Sequence, residues 1–187
     1  MNVGVVGLGY WGPNLVRNLY EANICDQIYC CDVDVAKTEK IKSRYPSIIT
    51  TNDSKELANN DAIGAVVIAT PVSAHFPLGM EFLNAGKHVF IEKPFTASPE
   101  EAVKLIALAE EKNLITMVGH TFEYSPPVIK IKQLIDSGEL GKIYYISASR
   151  VNLGLHQKDV SVIWDLAPHD FSSLFYWLDE QPITVSA

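Results

Sequence analysis

Apolar residues fall into short blocks separated by segments with helical spacing, and this alternation is regular as far as Gly119. Strand-like blocks are predicted at residues 2–6, 27–32, 48–50, 65–69, 88–91 and 115–118. Between them, apolar positions recur three and four apart, as in Leu15, Val16, Leu19 and Tyr20. That period predicts helices at 11–21, 35–45, 55–58, 77–85 and 99–112. The last helix is punctuated by Ser98 as N-cap, Pro99 at the first helical position, Glu101 at the third and Asn113 at its C-terminal end. Short, mostly apolar strands joined by helices mean parallel pairing with both faces covered. Residues 1–119 are therefore expected to form a six-stranded, doubly wound parallel sheet of the α/β Rossmann type.

After Gly119 the pattern changes. An amphipathic helix carrying Val128, Ile131, Leu134 and Ile135 ends at Ser137-Gly138, and an alternating segment at 142–151 predicts a strand. A loop through Gly154, Leu155, His156, Gln157 and Lys158 follows, then a helix at 171–178 and a strand from Ile183. One and a half strands and two helices are too few for an independent sheet domain, which normally has three or more strands. Residues 120–187 are expected to begin an α+β substrate domain that is incomplete, with the division between the two domains at 119 and 120.

Composition narrows the function classes. The chain of 187 residues is 48% hydrophobic, enough for a real core, and its net charge of -7 with scattered Lys and Arg argues against a nucleic-acid surface. The run Ala65-Val66-Val67-Ile68-Ala69 is strand-sized, far below the roughly 20 residues of a membrane span. No basic-then-apolar leader precedes the first strand, so a cytoplasmic, non-membrane protein is expected. Cys25, Cys30 and Cys31 have neither disulfide nor metal-ligand spacing, and read as reduced thiols with no metal site.

The chemistry concentrates at strand ends. Gly7-x-Gly9-x-x-Gly12 follows the first strand and opens the first helix, and Asp32 stands twenty residues after the last glycine. Gly7 permits the tight turn, Gly9 lets backbone N–H groups approach a pyrophosphate, and Gly12 allows close packing of helix on strand. Asp32 is placed to accept hydrogen bonds from the adenosine ribose hydroxyls, which favours NAD over NADP; Asp34 is the better cap for the second helix. Tyr10 and Trp11 border the same turn, with Trp11 open to either a cofactor contact or helix packing.

In a doubly wound sheet, ligands sit beyond the carboxyl ends of the strands. Thr70-Pro71, Glu92-Lys93-Pro94 and His120 occupy those ends. Lys93 reads two ways: a partly desolvated ammonium that positions a substrate hydroxyl, or a surface lysine paired with Glu92. Asp165 and His169, four apart, share a face if their segment is helical, so carboxylate and imidazole can meet one hydroxyl. Pro168 fits only a helix's first turn, which leaves Asp165 open as a cap and His169 as a half-buried structural histidine. His120 reads as a cleft residue or as one simply hydrogen-bonded behind its strand, while Arg150, Asn152 and His156 are candidates for substrate phosphate or hydroxyls. Trp164 and Trp177 read as core.

Gly7-x-Gly9-x-x-Gly12, Ala69-Thr70-Pro71 with His75 four residues on, and Glu92-Lys93-Pro94 together resemble the glucose–fructose oxidoreductase/inositol dehydrogenase/rhizopine-catabolism (Gfo/Idh/MocA) family. The resemblance implies a nicotinamide-dependent sugar or polyol dehydrogenase in which Lys93 touches substrate and nicotinamide ribose, often with a cis bond before Pro94. It implies that His75 orders the loop beside the nicotinamide, and that Asp165-x-x-x-His169 is the catalytic pair. The stretch 151–155 through 162–170 resembles members that oxidise UDP-linked amino sugars at the 3-position. The family normally continues into a large sheet supplying substrate contacts and an oligomer interface, so a homo-oligomer is implied; the rival expectation is a non-catalytic NAD-binding module that needs a partner chain.

Overall fold

A computed structural model of the chain describes residues 1–151 and 160–186. It divides into two compact units, Met1–Gly119 and His120–Ala187.

The first unit alternates strand and helix: β1 (Asn2–Val6), α1 (Gly12–Ala22), β2 (Ile28–Cys31), α2 (Val35–Arg44), β3 (Ile49–Thr51), α3 (Ser54–Ala58), β4 (Ile63–Ile68), α4 (His75–Asn84), β5 (His88–Ile91), α5 (Pro99–Glu111) and β6 (Thr116–Val118). The six strands lie in the order β3-β2-β1-β4-β5-β6, all parallel, as the alternation of short apolar strands with helices requires. Strand order reverses between β1 and β4, which puts the turns after those strands at the usual ligand crevice.

Successive residues of a strand face opposite sides of the sheet, and the core divides accordingly. Val5 and Cys30 pack with Leu8, Val16, Ile41 and Ile48. Val6 and Cys31 pack with Ile68, Phe82, Leu83, Ile91 and Leu105. Phe82 and Leu105 are wholly buried, each worth roughly 1.5–3 kcal/mol of apolar transfer. Burial pushes the Cys30 thiol up to about 12 and the Cys31 thiol to about 11, so both are inert packing residues.

The second unit contains a 3-10 turn at Thr121–Tyr124, α6 (Pro126–Asp136) and α7 (Val162–Leu178). Trp177 joins the two helices by donating its indole N–H to the Val128 carbonyl at 2.9 Å. Two expected strands are absent. Residues 142–151 and the segment from Ile183 form no ladder, and Tyr144 and Tyr145 are 85% and 82% exposed. A strand is defined by its neighbour, and no described residue supplies one. The expected helix at 171–178 begins earlier, at Val162, and runs through Pro168. Ser161 caps it, accepting the Trp164 N–H at 3.2 Å. No helix among the described residues is long and apolar enough to cross a membrane.

Candidate functional site

The turn between β1 and α1 is built by backbone contact. Gly7 has φ +93°, and a Cβ there would lie 2.6 Å from the carbonyl of Ala69 at the end of β4. Its N–H donates to the Cys31 carbonyl at 2.8 Å, fastening the turn to β2. At Gly12 a Cβ would come within 1.9 Å of the Gly7 carbonyl oxygen, so the helix enters only over a bare Cα. Gly9 differs: nothing lies within 4 Å of its Cβ position and its φ is not in the left-handed region. Among the described glycines it is alone in having neither a steric nor a conformational reason to be glycine. Beside it, Tyr10 and Trp11 are 70% and 50% exposed and meet edge-on, with centroids 5.4 Å apart. Helix packing therefore does not account for Trp11. The helix they open has no side-chain cap at its N-terminus.

Asp32, just past β2, is buried and already engaged. Its two carboxylate oxygens accept backbone N–H groups, one from Leu8 at 2.6 Å and one from Asp34 at 2.9 Å. The acid thus holds the glycine-rich turn in place, leaving part of its acceptor capacity for a ligand. Asn52 donates to the Asp32 carbonyl at 2.6 Å, and Lys37 faces the carboxylate from α2. Sequence reasoning passed over Asn52 and Lys37; only the position of Lys37, five residues past the acid in the first turn of α2, could have signalled either. Asp34 caps α2 as its position indicates, accepting the Ala36 N–H at 3.0 Å.

The turns after β4 and β5 are tied together by His75. Its Nδ1 lies 2.9 Å from the Pro94 carbonyl oxygen and its Nε2 3.0 Å from that of Thr70, with the ring buried. The Lys93–Pro94 peptide is cis. Glu92 is buried beneath Gly119 and accepts the Lys93 backbone N–H at 3.3 Å. Burial raises the Glu92 carboxyl above its ordinary value, opposed by that N–H and by the Lys93 charge. Thr70 Oγ1 is buried and has no hydrogen-bond partner among the described residues. The glycine cradle and this hydroxyl fit a dinucleotide lying across β1 and β4.

In the second unit, Asp165 and His169 lie one turn apart on α7 and share a helix face. With Ser161 as the cap, Asp165 is not needed for that task. His169 is 9% exposed; its ring packs on Phe122 at 4.4 Å, and its carbonyl accepts hydroxyls from Ser172 and Ser173. Arg150 donates from Nε to Asp170 at 2.9 Å and lies over the Phe122 ring, so its guanidinium already has partners within the unit. His120 Nδ1 has no hydrogen-bond partner among the described residues, and burial lowers the pKa of its ring despite Glu123 nearby. Asn152 and His156 lie outside the described residues. Among the described residues no group of three or more His, Cys, Asp or Glu could hold a metal.

Residues 1–120 match the oxidoreductase family with an NAD-binding Rossmann fold. The chain is 32% identical over 152 residues to scyllo-inositol 2-dehydrogenase (NADP(+)) IolW of Bacillus subtilis, covering 80% of this chain and 42% of that protein. It is 30% identical to UDP-N-acetylglucosamine 3-dehydrogenase of Acidithiobacillus ferrooxidans, covering 100% of this chain and 57% of that one. The crystal structure of GenD2 from gentamicin A biosynthesis, in complex with NAD, superposes with a TM-score of 0.71 at 28% identity, over 74% of this chain and 40% of that chain. The chain therefore spans about half the length of the relatives it matches.

Proposed function

This chain belongs to the oxidoreductase family with an NAD-binding Rossmann fold, and from that premise we propose that it binds NAD and dehydrogenates a secondary hydroxyl of a sugar or polyol. Gly9 carries the nucleotide part of the reading: the fold has no use for a glycine there, whereas an approaching pyrophosphate does. Asp32 favours NAD, because a carboxylate that accepts ribose hydroxyls repels a 2′-phosphate. Gly7, Gly9, Gly12, Thr70 and Pro71 would hold the dinucleotide, with Tyr10, Trp11, His75 and Glu92 around them. When bound, nicotinamide supplies hydride exchange with the substrate carbon.

The remaining chemistry falls to the chain's own side chains. As hydride leaves carbon the hydroxyl proton must leave oxygen, and His169 takes it as general base. Asp165, one turn earlier on α7, orients the imidazole. Lys93 positions the hydroxyl and stabilises the developing alkoxide, while His75 and Glu92 hold the lysine's turn. His120 is a further candidate for lining the substrate site, and the pairing of Arg150 with Asp170 makes it the weaker one. A nucleotide-linked sugar oxidised at its 3-position is the narrower proposal, supported by the Acidithiobacillus relative at 30% identity.

Calorimetric titration with NADH tests the binding, and an assay against inositols and UDP-amino sugars tests the turnover. Loss of turnover with retained binding in His169→Asn and Lys93→Ala is expected; full turnover in Lys93→Ala would remove the lysine from the chemistry. A second reading, an NAD-binding module completed by another copy or a partner chain, is favoured by the unpaired and exposed segment 142–151. It predicts binding without turnover across the panel, and self-association on gel filtration.

A further inference from the structure

The backbone of His169 is fixed on α7, where its carbonyl accepts the Ser172 and Ser173 hydroxyls at 3.2 Å and 2.9 Å. The plane of its ring is a separate matter. Rotation about the bond joining an imidazole to its Cβ is broad and roughly twofold, so a helix backbone does not set that plane. A general base must present its nitrogen along one direction, within hydrogen-bond reach of the proton it takes. What the ring lies against decides that direction. Phe122, in the 3-10 turn at Thr121–Tyr124, lies against it with centroids 4.4 Å apart and planes tilted by 46°. Arg150 covers the same Phe122 ring, its Cζ 4.8 Å from the centroid, and donates from Nε to Asp170 at 2.9 Å. Asp170 follows His169 directly on α7, so the contacts run from the helix to Phe122, to Arg150 and back to the same helix. Stability asks little of this circuit: Phe122 is 38% exposed, and a partly exposed ion pair such as Arg150–Asp170 contributes little.

We propose that Phe122 is a positioning residue for proton transfer, its face holding the His169 imidazole in the plane from which it takes the hydroxyl proton, with Arg150 as its backing. The proposal rests on the reading of His169 as general base. The two supports of the imidazole do different work. A carboxylate such as Asp165 selects the tautomer through a hydrogen bond, whereas an aromatic face restricts the rotation of the ring. Arg150 suits the backing because a planar guanidinium stacks on an aromatic face, and its bond to Asp170 keeps it there. Leucine at 122 would fill much of the same space and offer no flat face. Tyrosine would keep the face.

The test combines steady-state kinetics, on whichever inositol or UDP-amino sugar the wild-type protein turns over best, with NMR of histidine-labelled protein. His169→Asn identifies the His169 ring-proton resonance. That resonance should carry a ring-current displacement that Phe122→Leu removes and Phe122→Tyr retains. Phe122→Leu should lower kcat by about tenfold or more, the usual consequence of a misplaced catalytic group, with KM and NADH affinity within about threefold. Phe122→Tyr should restore most of that loss. Arg150→Ala should lower kcat less, and should add nothing further in the Phe122→Leu background, because both act through one ring. A wild-type resonance without displacement, full kcat in Phe122→Leu, a loss equally deep in Phe122→Tyr, or a loss confined to KM each overturns the role of Phe122. A rise in KM alone for Arg150→Ala overturns its part as backing and makes it a substrate contact. Absence of turnover in the wild-type protein overturns the general-base reading instead, and the displaced His169 resonance would then report ring packing alone.

Discussion

Gly9 and Gly12 lie three residues apart in one turn and answer to different constraints. A methyl at Gly12 would sit 1.9 Å from the Gly7 carbonyl oxygen, which no side-chain adjustment relieves. Gly12→Ala is expected to cost at least about 2 kcal/mol in denaturant unfolding, because helix and strand must separate. A methyl at Gly9 meets open space. Gly9→Ala should therefore unfold at the wild-type midpoint and yet bind NADH roughly ten- to a hundredfold more weakly, since it holds backbone donors away from the pyrophosphate. Equal stability with equal affinity would show that no phosphate approaches there. Glu92 supports a prediction about pH. Its carboxyl is raised above the ordinary 4.5 by burial, so between that value and its folded-state value the native protein holds a proton that the unfolded chain has released. This contribution to stability is fully present below 4.5 and is lost as pH rises through the folded-state value. Glu92→Gln keeps an acceptor for the Lys93 N–H and has no proton to lose. Unfolding free energies measured across this range should fall with rising pH in the wild type and lose that component in the variant.

Elements whose signals are local agree closely with the structure, and those that depend on distant partners do not. Ser98, Pro99 and Glu101 define the start of α5: the Ser98 hydroxyl accepts the Glu101 N–H at 3.3 Å and Glu101 reaches back to the Ala97 N–H at 3.1 Å. Asn113 closes the helix end with φ 54°. Ser98→Ala should cost about 1 kcal/mol, read as a shift in the thermal midpoint with NADH affinity unchanged. The alternation at 142–151 is as clear as any in β1–β6, yet periodicity says only which face a strand would present, not whether a neighbour exists. Pro168 misleads in the opposite direction. A proline removes one helix hydrogen bond, but α7 is anchored on either side of it by the Ser161 cap and by the Trp177–Val128 bond, and the helix continues. At the candidate site, the places of the glycine turn after β1 and of Asp32 after β2 were readable from residue type and spacing. The His75 bridge to Pro94, the Asn52 bond to Asp32 and the Leu8 bond to Asp32 join positions 19, 20 and 24 residues apart, and only the strand order makes them neighbours.

At the scale of the whole molecule, the two units differ in how much of each is buried. The first has a sheet covered on both faces, with Val5, Val16, Val66, Ile68, Phe82 and Ile91 wholly excluded from solvent. In the second, Val128, His169, Ser172 and Ser173 are the buried residues among those described, while Tyr144, Tyr145, Ile183 and Val185 are largely exposed. Local opening costs little where few apolar contacts and no ladder bonds must break, and approaches the global unfolding free energy in a central strand. Hydrogen exchange followed by mass spectrometry should therefore show residues 142–151 exchanging at nearly the rate of a free peptide. β1 and β4, the central pair of the sheet, should exchange last. NADH should slow exchange around Gly7, Gly9 and Gly12 and leave 142–151 unchanged, because ligand binding stabilises only the amides whose opening it opposes. Strong protection at 142–151 in the isolated chain would mean that this segment is paired, either with a second copy or within its own chain. Protection by a second copy should fall on dilution, whereas a contact within one chain would be indifferent to concentration.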